Sequence, residues 1–185
     1  MKVYYWYVGS ELFEGLAGCD SDGTLVYLSL GQWQFLVDVV KRDFLPVKRN
    51  HELLAGHPDK QSDGTKETLA LLSEILGNPA NIDRIGRKIR LRYIFGTSFQ
   101  RKVWDTLMTI KMGETLTYSE VAARAGGKKG ASRAAGHACG ANRIALLVPC
   151  HRVVSSAGAL TGYRWGIDVK RQLLDTERQA AKKGL

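Results

Sequence analysis

The sequence predicts an α+β protein in two parts. A strand-rich N-terminal α/β domain is expected over residues 1–92, and a mostly helical domain carrying a helix-turn-helix over residues 93–185. Three observations support this. Runs rich in aromatic and β-branched residues crowd the first 30 positions. Apolar residues recur at helical spacing from residue 98 onward. Charge divides in the same way: residues 1–84 hold 8 Lys and Arg against 12 Asp and Glu, whereas residues 85–185 hold 19 against 6. A chain of 185 residues has room for one ordinary domain or two small ones.

In order, residues 3–8 and 11–17 read as strands, Asp20-Ser21-Asp22-Gly23 as a turn, and residues 24–30 as a half-buried strand. Trp33, Leu36, Val37, Val40 and Phe44 space a helix over 32–44. The polar stretch Pro46 to Gly64 reads as an irregular connection. Thr65 is placed to cap a helix whose apolar face is Leu69, Leu72, Ile75 and Leu76, stopped by Gly77-Asn78-Pro79. Residues 87–94 alternate cationic and apolar, as a strand with one basic face would. No catalytic pattern occurs in this half, whose expected role is structural support.

Phe99, Val103, Leu107 and Ile110 space a helix over 98–111. Thr117-x-x-Glu120 is a capping box opening a short helix from Tyr118 to Ala125. After Gly126–Gly130, a second short helix spans Ala131 to Cys139, giving the helix-turn-helix expectation. That helix, Ser132-Arg133-Ala134-Ala135-Gly136-His137-Ala138-Cys139-Gly140, has almost no bulk. Helices that read base edges usually carry long polar side chains. One made of Ala and Gly either packs tightly in a core or presses against a sugar-phosphate wall, positioning without reading. Lys128 in the turn would add a phosphate contact. A final helix is expected from a cap at Asp168, with Val169, Leu173 and Leu174 inward, Glu177 on a similar face, and a fraying cationic tail from Arg178.

The chemistry concentrates in Ile144-Ala145-Leu146-Leu147-Val148-Pro149-Cys150-His151-Arg152. The apolar run reads as a buried strand or packed extended segment that delivers Cys150 to the rim of the core. Cys150 is then either a structural core thiol or a nucleophile beside an imidazole. Three cysteines without a C-x-x-C pair fit no disulfide framework, and His137, Cys139, Cys150 and His151 match no familiar zinc spacing, so no metal is expected. The basic second half points to a polyanion, nucleic acid foremost, or to solvated surface charge. No apolar run nears the ~18 residues of a membrane span. The N-terminus lacks a signal-peptide pattern, so the expectation is an intracellular monomer, nuclear in a eukaryote and cytoplasmic in a prokaryote.

The combination Gly96-Thr97-x-Phe99-Gln100-x-x-Val103-Trp104, Tyr118, Arg133-Ala134-Ala135-Gly136, Asn142, Pro149-Cys150-His151-Arg152-Val153, Gly162-Tyr163 and Lys170-x-x-Leu173-Leu174-x-x-Glu177 resembles the O6-alkylguanine-DNA alkyltransferases. The resemblance covers roughly residues 95–178. The first 90 residues are loosely similar to the ribonuclease H-like α/β domain such proteins carry. It implies direct, single-turnover repair of double-stranded DNA containing O6-alkylguanine, without a cofactor; O4-alkylthymine stays open as a second lesion. Carried over, Cys150 accepts the alkyl group, His151 deprotonates it through water, Glu177 orients the imidazole and Asn142 braces the turn. Tyr118, Tyr163, Val148, Ser155 and Ser156 would line the pocket. Arg133 would fill the hole left by a flipped base, with Gln100, Ser119, Ala134, Gly136 and Lys128 against DNA. Lys111 and Arg143 stand where many relatives have proline, and Gly126–Ser132 is about one residue longer than usual. With only Cys19 in the first half, no zinc carries over. The presence of Cys150 argues against alkyltransferase-like proteins, which lack the cysteine. A non-catalytic helix-turn-helix regulator and a cysteine hydrolase using Cys150, His151 and Glu177 remain the rival readings.

Overall fold

A computed structural model describes residues 1–184, which divide into two compact units, Met1–Phe95 and the chain from Gly96 onward. The architecture is α+β. In the first unit, strands β1 (Lys2–Gly9), β2 (Glu14–Cys19) and β3 (Leu25–Leu30) form antiparallel neighbours, and β4 (Glu52–Ala55) adds to β1 in parallel, giving the order β3-β2-β1-β4. Gly23, at φ +81°, makes the turn before β3; a Cβ there would collide with the Gly64 backbone. Helix α1 (Trp33–Phe44) lays Leu36, Val40 and Phe44 on Val3, Leu16 and Val26. The Tyr27 hydroxyl, buried with them, donates to Asp43 at 2.9 Å. Helix α2 (Asp63–Gly77) buries Leu72, Ile75 and Leu76, and a single turn, α3 (Ile82–Ile85), follows.

Three expectations for this unit need correction. The stretch from Pro46 to Gly64 is not wholly irregular, because β4 lies within it. Glu52-Leu53-Leu54-Ala55 is an edge strand with no fully buried residue, so it lacks the apolar signature of β3. Ser62, not Thr65, caps α2, its Oγ accepting from Thr65 N–H at 3.2 Å. Residues 87–94 do not form a strand: Leu91 makes one isolated bridge to Leu25. The alternating cations are instead used singly, Arg90 donating to the Asp22 carbonyl at 2.6 Å and Arg92 pairing with Asp20 at 3.0 Å.

In the second unit, helix α4 (Ser98–Leu107) opens on a Thr97/Gln100 capping box and ends four residues before the expected 111. Strand β5 (Leu116–Thr117) leads through the Thr117/Glu120 box into α5 (Tyr118–Arg124). Helix α6 (Ser132–Gly140) packs on α4 and α5, and the Trp104 indole N–H donates to the Ala138 carbonyl at 2.8 Å. Strand β6 (Val153–Val154) pairs in parallel with β5. Helix α7 (Ile167–Lys182) is capped by Gly166, at φ +101°, and not by Asp168, which pairs with Arg171. It continues through the tail expected to fray, because Ala180 is buried.

The run 144–148 is buried throughout but is neither strand nor extended. It is a tight turn, with Leu147 N–H donating to Ala145 at 2.6 Å and Val148 N–H to Ile144 at 3.3 Å. Leu146 occupies the left-handed region at φ 63°, which is costly for a residue with a Cβ.

Candidate active site

Cys150 opens a 3-10 turn, Cys150–Arg152, that runs into β6. Its side of the fold lines a cavity of about 150 Å³ shared with Tyr118, Gly136, Cys139, Gly140, Gly162, Tyr163 and Arg164. Asn142, 1% exposed, organises the preceding turn. Its Nδ2 donates to the Val148 carbonyl at 2.9 Å and the Ile144 carbonyl at 3.2 Å, and lies 3.3 Å from Cys150 Sγ. Its Oδ1 accepts from Ile144 N–H at 2.8 Å. One amide side chain thus supplies the partners that a neighbouring strand would give, which allows the apolar run to turn instead of extend.

The second part of the site hangs from α7. Lys170, Leu173, Leu174 and Glu177 form its buried stripe at i, i+3, i+4 and i+7. Glu177 Oε1 lies 2.8 Å from His151 Nε2, and both oxygens accept from Arg152, Nε at 3.1 and 2.9 Å and Nη2 at 2.8 Å. Arg152 Nη1 donates to the Ile110 carbonyl at 2.6 Å. Burial alone would raise the Glu177 carboxyl, but the hydrogen bonds and charges of His151 and Arg152 outweigh it and hold the group well below the usual range. An ionised carboxylate only accepts hydrogen bonds, so Nε2 carries the imidazole proton and Nδ1 keeps its lone pair. Nδ1 is buried without a protein partner. Burial also lowers the pKa of His151, so the ring is neutral near pH 7.

Burial pushes the Cys150 thiol up to about 11, against the lowering effect of the Asn142 amide and the Lys170 charge. Cys150 therefore rests as a thiol, and its proton must leave as the reaction proceeds. Lys170 is fully buried, its Nζ donating to the carbonyls of Val153 at 2.6 Å and Thr161 at 3.1 Å. Tyr118 donates to the same Thr161 carbonyl at 3.1 Å. Burial raises the pKa of Tyr118, and raises that of Tyr163 well above the ordinary value, so both stay protonated. The Tyr163 hydroxyl is buried without a protein partner.

Of the residues singled out from sequence, Cys150, Tyr118, Gly136 and Tyr163 share the cavity. His151, Asn142 and Glu177 stand behind it. Val148 is buried and reaches the site only through its carbonyl. Ser155 accepts from Ala159 N–H at 3.0 Å, closing a turn, and Ser156 is exposed. Among the described residues, the walls around Cys150 include neither serine nor Val148. An open groove of about 420 Å³ shares Tyr118 and Gly136 with this cavity and is also lined by Ser132, Arg133 and His137. Ala134, Ser119 and Lys128 are exposed, and Gln100 is half-buried in its capping box. Among the described residues no group of three or more His, Cys, Asp or Glu side chains could hold a metal.

Sequence reasoning assigned no role to Arg152, Lys170 or Cys139. A signal existed for Lys170: a cation at a core position of an amphipathic stripe is rarely buried without a task. Arg152 could not be separated from its neighbours in the motif, because its partner is 25 residues away.

Fold and site together define a protein with one buried thiol beside an imidazole–carboxylate–guanidinium cluster, in a basic unit that also carries a pair of short helices. The family described as 6-O-methylguanine DNA methyltransferase, DNA binding domain, matches residues 98–179. The methylated-DNA--protein-cysteine methyltransferase of Debaryomyces hansenii is 40% identical over 184 residues, covering 98% of this chain and 94% of the relative. That of Saccharomyces cerevisiae is 34% identical over 179 residues, covering 96% and 94%. The crystal structure of Mycobacterium tuberculosis OGT in complex with DNA superposes with a TM-score of 0.68 at 30% identity, over 96% of this chain and 94% of that one. The chain belongs to the methylated-DNA–protein-cysteine methyltransferase family.

Proposed function

We infer that the chain repairs DNA directly, moving the alkyl group of O6-alkylguanine in duplex DNA to its own Cys150, once per molecule. The observation that carries the reading is a pair of buried clusters on the consecutive residues Cys150, His151 and Arg152, behind one cavity. A thiol sits against the Asn142 amide, and a neutral His151 is tied through Glu177 to Arg152. In this reading α5 and α6 act as the helix-turn-helix, with Gln100, Ser119, Lys128, Ala134 and Gly136 against the DNA and exposed Arg133 filling the gap of the extruded base. Extrusion costs a few kcal/mol and least for a poorly paired lesion, which favours damaged sites.

The lesion then lies between Tyr118 and Tyr163. His151 Nδ1 takes the thiol proton through a bridging water, and Glu177 stabilises the imidazolium. The S–C bond to the alkyl carbon forms as the C–O6 bond breaks, eased by a hydrogen bond from the Tyr118 hydroxyl, which turns from the Thr161 carbonyl to the guanine ring. The proton that left the thiol returns to the leaving guanine, so the products are S-alkylcysteine and unmodified guanine. No cofactor enters this balance, since the lesion is the alkyl donor.

The N-terminal domain is a structural support in this account. The protein works as a monomer without a membrane, in the compartment of the genome it serves: nucleus in a eukaryote, cytoplasm in a prokaryote. No helix among the described residues is long and apolar enough to cross a membrane. The test compares wild type with Cys150→Ala on a duplex carrying labelled O6-methylguanine. Wild type should acquire label covalently, while the variant binds the duplex and acquires none. Sequence-specific binding with no covalent product in either would favour a regulator instead.

A further inference from the structure

The exposed positions of α6 are Arg133, Ala134, His137 and Gly140. Two of these lack any hydrogen-bonding side-chain group, and Arg133 is committed to the gap left by the extruded base. His137 is therefore the remaining exposed side chain on this helix able to hydrogen-bond a base edge. It stands at i+4 from Arg133, on the same face. Both line the open groove of about 420 Å³ beside Tyr118. The small residues around His137 let the helix approach DNA closely enough for a short imidazole to reach.

We propose that His137 is a specificity-determining residue that reads the base pair next to the lesion, so that repair depends on flanking sequence. The inference rests on the alkyltransferase reading above. One helical turn is about 5.4 Å, on the order of one to two base steps, so the pair read lies one or two steps from the extruded base. An imidazole fixed on the helix favours one base pair over another by position, because donors and acceptors stand at different places on A·T and G·C edges in the major groove and only G·C offers a donor in the minor groove. One such hydrogen bond corresponds to about three- to tenfold in rate at limiting protein.

The experiment measures single-turnover repair of O6-methylguanine in duplexes that differ only in the pairs one and two steps to either side, for wild type, His137→Ala and His137→Gln. Thermal unfolding followed by circular dichroism confirms that each variant is folded. The expected result is a wild-type preference of about three- to tenfold at one of these positions. It should be lost in His137→Ala and partly kept or altered in His137→Gln, which retains a donor and an acceptor. An unchanged context profile in His137→Ala overturns the proposal, and so does a wild type indifferent to context. Failure of wild type to take up methyl from any duplex would instead sink the repair reading itself, a result distinct from both.

Discussion

Replacing Asn142 by Ala should disable the site and weaken the fold together. The side chain makes four contacts, to Ile144 O, Val148 O, Cys150 Sγ and Ile144 N–H. After truncation the Val148 carbonyl still accepts from Cys150 N–H, and the Ile144 carbonyl from Val148 N–H. Ile144 N–H, by contrast, loses its partner inside the core. An orphaned buried donor costs about 1–3 kcal/mol, and the lost bonds to the two carbonyls add roughly 0.5–1.5 kcal/mol each. The total, about 2–6 kcal/mol, is a large part of the ~5–15 kcal/mol that stabilises an ordinary domain. The assay is urea unfolding at pH 7 together with single-turnover alkyl transfer. Because the amide also lowers the Cys150 pKa, transfer should slow even in the fraction that remains folded. A loss of stability below about 1 kcal/mol, with a normal rate, would refute the assignment of Asn142 as the organiser of this turn.

Three further outcomes follow from the same geometry. Arg133→Ala should slow repair of duplex DNA far more than reaction with free O6-benzylguanine; equal losses on both would remove its role in base extrusion. Glu177→Gln leaves Arg152 buried without its counter-charge and should destabilise the fold by about 3–5 kcal/mol in urea titration; pairing it with Arg152→Met should recover part of that loss, and no recovery would contradict the pairing. The Cys150 thiol is raised from 9.0 to about 11, so folded and unfolded chains both keep this proton below pH 9. Between pH 9 and 11 the unfolded chain releases it first, and stability falls as pH rises. Cys150→Ala should make that stretch of the stability curve shallower, by about 3 kcal/mol at its alkaline end, while Cys19 and Cys139, each raised to about 12, keep it falling in both proteins, as read by urea midpoints across the range; a curve parallel to wild type would count against the raised thiol. Glu177 and His151 are both lowered, so their contribution is present at neutral pH and is lost as pH falls toward their folded values.

The elements legible in the sequence are those whose pattern is made by the core. Strands β1 to β3 show as apolar and β-branched runs, and helices α1 and α2 as period-3.6 spacing; the half-buried alternation expected for residues 24–30 is not kept, since β3 is buried on both faces. Strand β4 does not, because an edge strand owes its place to main-chain pairing with β1 and buries little. The segment 87–94 misleads for the opposite reason. Its alternation is real, but Arg90 and Arg92 satisfy separate acceptors on the β2–β3 turn and no ladder forms around Leu91. In the site, Cys150 and His151 are visible in sequence, since a thiol beside an imidazole suggests its own chemistry, whereas the part of Glu177 comes only from the family resemblance. What joins them is not visible. The turn at 144–148 depends on one amide replacing a strand partner, and Lys170 and Arg152 act across 17 and 25 residues. The small composition of α6 allows either packing or DNA contact, and Arg133, hard to bury, tips the reading toward DNA. The structure buries Ala135, Ala138 and Cys139 and leaves Arg133, Ala134 and His137 outward.

The central claim is that Cys150, and neither Cys139 in the same cavity nor Cys19 elsewhere, takes the alkyl group once and permanently. It is tested most directly by intact-protein and peptide mass spectrometry after mixing with excess O6-methylguanine duplex. The account expects one methyl group per molecule, mapped to the peptide bearing Cys150, and no second round when fresh duplex is added. An unchanged mass in folded protein, a methyl group on another residue, or continued turnover would contradict it.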